Sequence, residues 1–371
     1  MTAQTRAQPA VPDAFMPAQG GYIRSLNGLR TLSIAIVLGN HFVDGRVPGG
    51  LGVYIFFVIS GFLIARLLFA EMKATSQISL PRFYLRRALR LYPIVIAYCL
   101  ALVIFAMAFG IAFRWSDPLS ALFYYANYHY TSGVTETLPL SHFWSLSIEE
   151  HFYFILPVLM IMLRCKPSLV LVAAGVAFVA CLACRIIVAM RHPEYLSTEI
   201  FYFQTQFRLD SLAFGVAIAA GCESQTGRDI LKRLGHPALL ALALVTIAFC
   251  LVYRDPFFRH TLRYTILGGA ISLVLCFVLF RASIATTLLN LPFMVWLGRL
   301  SYSLYVWHLA VPPTIGCFFP DTHGPAATAL KFALSLMLAI VSYYGLELPI
   351  MRLRARIASP ASRRLVTAAA D

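Results

Sequence analysis

Charged residues are scarce in this chain of 371 residues. Only 12% of its residues are Asp, Glu, Lys or Arg, whereas 60% are hydrophobic. Soluble proteins are about one quarter charged residues, so this composition excludes a soluble globular domain. The apolar residues form long unbroken runs, which excludes the short alternating segments of a membrane β-barrel. The sequence therefore predicts an all-α, polytopic membrane helical bundle.

The sequence also lacks a signal peptide, a disulfide framework and a metal-binding motif. Its first 20 residues contain no apolar run, so we expect a disordered leader over 1–21. The eight cysteines are scattered, mostly in apolar stretches, where a reduced cysteine packs as a small hydrophobic residue. No HExxH spacing is present, so we expect no metal site. The net charge of +14 is divided among the loops, which indicates membrane topology rather than a nucleic-acid partner.

About ten apolar runs are long enough, or nearly so, to cross a lipid bilayer. They lie at 28–45, 51–70, 91–113, 147–163, 168–190, 200–221, 237–253, 263–280, 300–318 and 326–348. The segments outside them hold twenty Lys and Arg on one side of the membrane and six on the other. Because basic residues concentrate on the cytoplasmic side, both termini are expected there, with a membrane domain over 22–350 and a basic cytoplasmic tail over 351–371. The exception is the outer loop at 254–263, which carries three of the six outer arginines.

Arg30 and His41 lie eleven residues apart in the first apolar run. A helix turns by about 100° and rises about 1.5 Å per residue, so the two side chains share one face, ~16 Å apart along the axis. Ionisable groups inside a membrane span are costly, and by default they mark a ligand or proton route. We interpret the pair as a site in which Arg30 holds an anion near the cytoplasmic surface and His41 performs chemistry deeper in the membrane.

Three arginines, Arg86, Arg87 and Arg90, lie where the third span leaves the cytoplasm. Arg86 and Arg90 are four residues apart and therefore share a helix face. On charge alone, positive-inside anchoring is the simpler explanation of this cluster. The functional interpretation is a phosphate cradle, because the guanidinium fork matches phosphate geometry.

Two adjacent carboxylates, Glu149 and Glu150, enter the fourth span from the same side as His41. The positive end of the helix macrodipole favours carboxylates at that position, which is the structural interpretation. The functional interpretation is that one of them orients a histidine. A further histidine, His308, follows an aromatic stretch in the ninth span, where a hydrogen-bonded core histidine is more common than a catalyst.

Arg208, Asp210 and Glu347 are further charges within apolar runs. Arg208 and Asp210 point to different faces of a helix, so each requires a partner on another helix. Mutual neutralisation in the packed bundle is the structural explanation for all three charges. A substrate or proton route through a transporter is the functional one.

Five stretches, in this order, resemble the acyltransferase family 3 of membrane O-acyltransferases. They are 27–30 followed by His41, 52–62, 83–93, 143–153 and 297–308. The likeness extends over 22–350. The chain departs from the common family pattern at Asn27 and Tyr54, where an acidic residue is frequent, and at His151, where glutamine is frequent.

The resemblance implies an enzyme that transfers an acyl group, acetyl first among the candidates, from acyl-CoA to a hydroxyl of a carbohydrate. The implied acceptors are exopolysaccharide, lipopolysaccharide O-antigen or a lipid-linked oligosaccharide, at the inner (plasma) membrane. A small secreted glycosylated metabolite is an alternative acceptor. The resemblance also implies a stand-alone form without the C-terminal hydrolase-like domain of many relatives, which either completes the transfer or hands over to a separate partner protein. A transporter or exporter of a polysaccharide precursor stays the competing class.

The mechanism expected from this resemblance begins with the donor at the cytoplasmic face. The phosphates of CoA would dock on four arginines, Arg30, Arg86, Arg87 and Arg90. The pantetheine arm would then deliver the thioester to His41, which acts as general base or forms an acyl-histidine intermediate. Glu149 or Glu150 would fix the tautomer of that histidine, as the carboxylate does in a catalytic triad. His308 would polarise the carbonyl group or steer the acceptor.

Overall fold

The computed structural model describes residues 23–357, with side chains described up to residue 352. The leader expected over 1–21 lies outside this range, and so does most of the tail expected over 351–371. Between residues 23 and 357 the chain is helical and contains no β-strand. The predicted all-α fold class is therefore confirmed.

The described residues form eighteen α-helices. In chain order these are α1 (Arg24–Phe42), α2 (Gly49–Thr75), α3 (Leu80–Ala108), α4 (Ser116–Leu122), α5 (Ala126–His129), α6 (Phe143–Met162), α7 (Pro167–Arg191), α8 (Ile200–Phe203), α9 (Leu209–Gly221), α10 (Gln225–Leu234), α11 (Pro237–Val252), α12 (Pro256–His260), α13 (Leu262–Phe280), α14 (Ile284–Leu289), α15 (Pro292–Trp307), α16 (Val311–Phe318), α17 (Gly324–Ser342) and α18 (Leu348–Ile357). Short 3₁₀ turns lie at Tyr130–Ser132, Pro193–Ser197, Thr205–Phe207 and His308–Ala310. A π-helical turn, Tyr343–Glu347, joins α17 to α18.

Several of these helices are long and apolar enough to cross a membrane. Among the described residues there are six, namely α2, α3, α6, α7, α13 and the continuous run Gly324–Arg352. The pair α10 and α11, bent by 63°, forms a seventh candidate if it is counted as one span. The chain is a multi-pass membrane protein. The number of about ten spans and the cytoplasmic position of both termini stay predictions.

Two predicted spans are interrupted. The run at 200–221 is divided into α8, a 3₁₀ turn and α9, because Gln204, Gln206 and Arg208 interrupt the apolar sequence there. The run expected at 300–318 begins eight residues earlier, at Pro292, and α15 ends at Trp307. The prolines at 312 and 313 lack a backbone N–H and therefore occupy the first turn of a new helix, α16.

Glycines allow the central helices to approach closely. A Cβ atom on Gly215 of α9 would overlap the carbonyl oxygen of Val58 in α2, and one on Gly298 of α15 would overlap that of Asn27 in α1. Small residues let helix backbones approach in this way in membrane bundles. As a result α9 lies close against α2, and α15 lies close against α1.

The two ends of the bundle hold different ionisable residues. We call the end that holds His41 and the first turn of α2 the histidine end, and the end where α2 stops and α3 begins the arginine end. Helices α2 and α9 run in the same direction between them. The guanidinium of Arg208 lies 5.0 Å from the Tyr54 ring near the histidine end, and Lys73 pairs with Glu223 at 2.5 Å at the arginine end.

Candidate active site

A cavity of about 720 Å³, counted with its open mouth, lies between α1, α2, α3, α6 and α15. Apolar side chains of α2 form much of its wall. Its polar lining consists of three arginines, one glutamate, three serines and three tyrosines: Arg30, Arg87, Arg90, Glu149, Ser60, Ser145, Ser301, Tyr153, Tyr302 and Tyr305.

Neighbouring side chains hold the arginines of this cavity in position. Arg30 donates a hydrogen bond from Nε to Oγ of Ser301 at 3.1 Å, which joins α1 to α15. The guanidinium of Arg87 stacks on the Tyr153 ring, 3.8 Å from its centre. A planar guanidinium fixed in this way presents its remaining N–H groups in one defined direction, which suits a phosphate or carboxylate ligand.

Three carboxylates balance the three guanidinium charges. Glu149 accepts hydrogen bonds from Ser60 and Tyr153, each at 3.0 Å. Glu347, in the π-helical turn, accepts one from Ser303 and lies within electrostatic range of Arg30 and Arg90. Glu150 lies within range of Arg87 and Arg90 from behind the cavity wall. Three carboxyl groups thus lie near the three guanidinium groups, and only that of Glu149 lines the cavity.

Three histidines cluster at the histidine end. The ring centres of His41 and His308 are 5.0 Å apart, and those of His308 and His142 are 5.1 Å apart. His41 lies in the last turn of α1, while His142 precedes α6 and His308 follows α15. The structure therefore brings together two predicted site residues, His41 and His308, that are 267 positions apart in the sequence.

Backbone carbonyl groups fix the tautomers of two of these histidines. Nδ1 of His308 lies 2.6 Å from the carbonyl oxygen of Tyr305, and Nε2 of His142 lies 3.0 Å from that of Val306. A carbonyl oxygen only accepts, so both of these nitrogens carry the proton. In the neutral rings Nε2 of His308 and Nδ1 of His142 are then unprotonated, and both are buried without a hydrogen-bond partner. His308 therefore presents a proton acceptor to its surroundings.

Tyr305 connects the cavity to this cluster. Its side chain lines the cavity, and its ring centre lies 5.5 Å from that of His308 and 5.6 Å from that of His142. Its hydroxyl lies 2.6 Å from Oγ of Ser145 and donates to the His142 carbonyl oxygen at 3.0 Å. A single aromatic side chain thus separates the arginine-lined space from the three imidazole rings.

The family profile described as an acyltransferase domain matches residues 23–345. This range includes the cavity, Tyr305 and all three histidines. The chain belongs to acyltransferase family 3. The resemblance of its five stretches is thereby confirmed.

Curated relatives of this acyltransferase domain carry the name O-acetyltransferase OatA. The sequences from Staphylococcus aureus strains NCTC 8325 / PS 47, COL and MRSA252 are each 27% identical to it over 349 residues. These alignments cover 89% of this chain but only 57% of each relative, so the chain spans little more than half of their length. No solved structure matches the chain.

One of the predicted donor-binding arginines lies outside the cavity of the acyltransferase domain. Arg86 is buried and pairs with Glu71 of α2 at 2.7 Å, and the same carboxylate accepts the backbone N–H of Ser79 at 3.3 Å. Arg86 and Arg90 were expected to share a helix face at the site, but only Arg90 of the two lines the cavity. Arg87 and Arg90, three residues apart, line it instead, and Arg86 ties α3 to α2.

The predicted contact between a glutamate and a histidine is not formed. Glu149 bonds to Ser60 and Tyr153 on the cavity wall, and one oxygen of Glu150, Oε1, is buried without a partner. His41, whose tautomer we expected a glutamate to fix, lies instead in the last turn of α1 beside His308. Main-chain carbonyls fix the tautomers of the other two histidines, His308 and His142.

Three residues of the site were not predicted from the sequence, and the partners of Arg208 and Asp210 were left unassigned. Tyr305, Ser301 and His142 lie within or beside the recognised stretches, but a hydroxyl or a lone histidine in a long apolar sequence carries no specific signal. Asp210 pairs with Arg185 of α7 at 2.7 Å, whereas the nitrogens of Arg208 have no hydrogen-bond acceptor. Within residues 23–357 no group of three or more metal-binding side chains is found.

Proposed function

We propose that this chain is an O-acyltransferase that moves an acyl group, acetyl by preference, from acyl-CoA to a hydroxyl of a carbohydrate. The observation that carries the proposal is that two chemically different regions lie on either side of Tyr305, which lines the cavity and contacts the rings of His308 and His142. One region offers three guanidinium groups to an anion, and the other offers three imidazoles to a proton. The relatives named O-acetyltransferase support acetyl as the group transferred.

The donor is proposed to bind with its phosphates at the arginine end. Arg30, Arg87 and Arg90 face one cavity and would hold the phosphates through charge-assisted hydrogen bonds. The rise from Arg30 to His41 along α1, ~16 Å, is of the length that an extended pantetheine arm has to cover. Arg86 would act indirectly, by anchoring α3 through Glu71.

The histidines are proposed to carry the proton. The acceptor hydroxyl attacks the thioester carbonyl carbon while His41 takes its proton; the C–S bond then breaks, and the departing thiolate takes up the proton from His41. The unprotonated Nε2 of His308, whose ring centre lies 5.0 Å from that of His41, would accept an N–H of His41 during the reaction and so leave the other His41 nitrogen basic. General base catalysis of this kind contributes about 10²–10⁴-fold in rate. The same geometry supports an acyl-histidine intermediate on His41.

The cellular setting follows from the same proposal. Acyl-CoA is cytoplasmic and surface glycans are outside, so the protein would reside in the plasma membrane with the arginine end facing the cytoplasm. The acceptor would be a surface polysaccharide or a lipid-linked glycan, reaching the histidine end. The OatA relatives are considerably longer than this chain. A separate partner protein is proposed to take part in passing the acyl group to the acceptor.

The test is acyl transfer by the purified protein in lipid nanodiscs. Labelled acetyl-CoA and an oligosaccharide acceptor should yield free CoA and acetylated saccharide in equal amounts. His41→Ala should lower turnover by about 10²-fold or more while the protein stays folded. His192→Ala, an exposed histidine beside Glu194, is the matched control and should leave turnover unchanged.

Two outcomes would contradict the proposal. Full turnover of the His41→Ala variant would remove this histidine from the reaction. Saccharide flux across reconstituted vesicles without release of CoA would identify a transporter instead.

A further inference from the structure

Arg208 is the most unusual charge in the molecule. Its side chain has no exposed surface, and its guanidinium lies inside a box of aromatic rings. The distances from its central carbon to the ring centres are 4.3 Å for Tyr264, 5.0 Å for Tyr54, 5.1 Å for Tyr202, and 5.8 Å for Phe57 and Trp144. We call these five residues the ring box.

None of the three nitrogens of Arg208 has a hydrogen-bond acceptor. Arginine keeps its charge inside a protein, and buried N–H groups of a cation are almost always bonded. The rings attract the charge through their faces but cannot accept its five N–H groups. Arg185 provides the contrast, because its nitrogens reach the carboxylate of Asp210 at 2.7 Å, the hydroxyl of Thr265 and two main-chain carbonyls. Arg208 is therefore missing acceptor oxygens that Arg185 has.

The ring box adjoins the candidate active site. Phe57 also lines the cavity, and Trp144 is followed directly by Ser145, which bonds to Tyr305. On its other side, the hydroxyl of Tyr202 lies over Gly50 in the first turn of α2, where even a Cβ atom would be 2.6 Å away from it. The box thus lies at the histidine end, next to the cluster that contains His41.

The basic loop at 254–263 lies against the same box. The guanidinium of Arg263 is 5.4 Å from the Tyr264 ring centre, and the ring of His260 is 5.7 Å from that of Phe201, beside Tyr202. Nε of Arg259 and Nε of Arg263 are also buried without an acceptor. Burial, with Arg259 and Arg263 adding to it, lowers the pKa of His260 to about 4, so the charge of this loop comes from its arginines.

We propose that Arg208 binds an anionic group of the glycan acceptor, a carboxylate or a phosphate on the sugar, with Arg263 at the rim of the site. The sugar ring would stack on the aromatic faces of the ring box while its anionic oxygens take up the free N–H groups. Tyr202 is the side chain that has to swing outwards for this, because it is half-buried and belongs to the four-residue helix α8. Two carboxylates lie within electrostatic range of the ring box, Glu199 at Tyr202 and Asp210 at Tyr54. This inference rests on the proposed acyl transfer.

Binding can be tested without any turnover. The detergent-solubilised protein would be titrated with a galacturonic acid trimer, with glucose 1-phosphate and with neutral maltotriose, and its melting temperature followed. We expect the galacturonic acid trimer, glucose 1-phosphate or both to raise the melting temperature, and maltotriose to have no effect. Which of the two charged sugars acts identifies the anionic group.

Variants connect this binding to Arg208. Arg208→Met should weaken the charged sugar at least tenfold, Arg263→Met several-fold, and Arg46→Met, an exposed arginine at the same end, should have no effect. If Arg208→Met does not fold, Arg208→Lys and Arg263→Met still decide the matter, because both should weaken binding. Equal stabilisation by maltotriose, or unchanged binding in the Arg208 and Arg263 variants, would overturn the inference.

The transfer assay separates this inference from the proposed function. Efficient acetylation of maltotriose, no slower than that of the galacturonic acid trimer, would reject an anionic acceptor and leave the acyltransferase intact. Binding of the charged sugar through Arg208 without any release of CoA would do the reverse.

Discussion

Arg86 and Arg90 lie four residues apart on α3, yet they occupy two different environments. Arg86 is buried against Glu71, and the pair neutralises itself between α3 and α2. Arg90 lines a cavity next to Arg87 and Arg30, with its balancing carboxylates set back in the wall. Burial and charge alone therefore do not distinguish a structural arginine from a functional one. What distinguishes them is whether the acceptors of the guanidinium come from the protein or from the space beside it.

The largest effect is expected from Arg86→Met. It leaves the Glu71 carboxylate buried without its cation, which typically costs about 3–5 kcal/mol. The melting temperature of the solubilised protein should fall steeply, while the KM for acyl-CoA of the folded fraction stays unchanged. Replacing both partners, as in Arg86→Met with Glu71→Leu, should recover most of the loss. A stable Arg86→Met variant with a raised KM would show that Arg86 binds the donor rather than stabilising the fold.

Arg90→Met should have the opposite profile. A hydrogen bond to a charged group contributes about 1.5–3 kcal/mol, so the KM for acyl-CoA should rise about 10- to 100-fold. The melting temperature should change little, since the removed side chain faces the cavity. Arg82→Met, at an exposed position on the same helix, serves as the control. Steady-state kinetics over a range of donor concentrations give both quantities, and loss of stability without a change in KM would count against donor binding at Arg90.

A smaller effect is expected from Ser301→Ala, which removes the acceptor of the Arg30 Nε group. Arg30 keeps its charge in this variant and loses only a positioning contact, so we expect a cost to donor binding of about 0.5–1.5 kcal/mol and a KM raised by about two- to tenfold. The value of kcat should hold, because the serine is remote from the histidines. A change in kcat alone would show that Arg30 serves the chemical step rather than donor binding.

The smallest effect concerns pH and extends the comparison to a carboxylate outside the membrane spans. Burial by itself raises the pKa of Asp117, but hydrogen bonds from the Thr137 hydroxyl, the His129 ring and two main-chain N–H groups outweigh it and lower that pKa below its usual value. A carboxyl with a lowered pKa in the folded protein stabilises it above the pKa of the unfolded chain. That stabilisation is lost as the pH falls through the folded pKa.

Melting curves between pH 7 and pH 3 test this assignment. The wild type should lose its advantage over Asp117→Asn as the medium becomes acidic. Asp229→Asn, at an exposed position, should follow the wild type throughout. A constant gap between wild type and Asp117→Asn at every pH would show that the carboxylate charge does not contribute.

Helix geometry alone predicts the relative positions of residues that lie on one helix. The shared face of Arg30 and His41 follows from helix geometry, and α1 is a single helix over both. The recognised stretches also offered His308 as a site candidate, and the folded chain brings its ring to within 5.0 Å of that of His41. What the sequence could not supply were contacts made by common groups, such as the carbonyl of Tyr305 on His308.

The errors have the same physical origin. Helical spacing grouped Arg86 with Arg90, but Glu71, contributed by another helix, selects the first of them as its partner. Residues 200–221 are apolar on average and were therefore predicted as one span, although polar residues separate α8 from α9. Periodicity predicts which side chains share a face of one helix. The residues of the neighbouring helix determine which of those side chains forms an ion pair.

The π-helical turn at Tyr343–Glu347 has one more consequence. Such a turn accommodates one residue more than regular helical geometry allows, and it is what lets Glu347 meet Ser303. Loss of a single amino acid from these five would rotate everything beyond it by about 100° and carry the carboxylate away from the arginines. The turn therefore tolerates a substitution at an exposed position such as Tyr344 better than the loss of any one of its five residues.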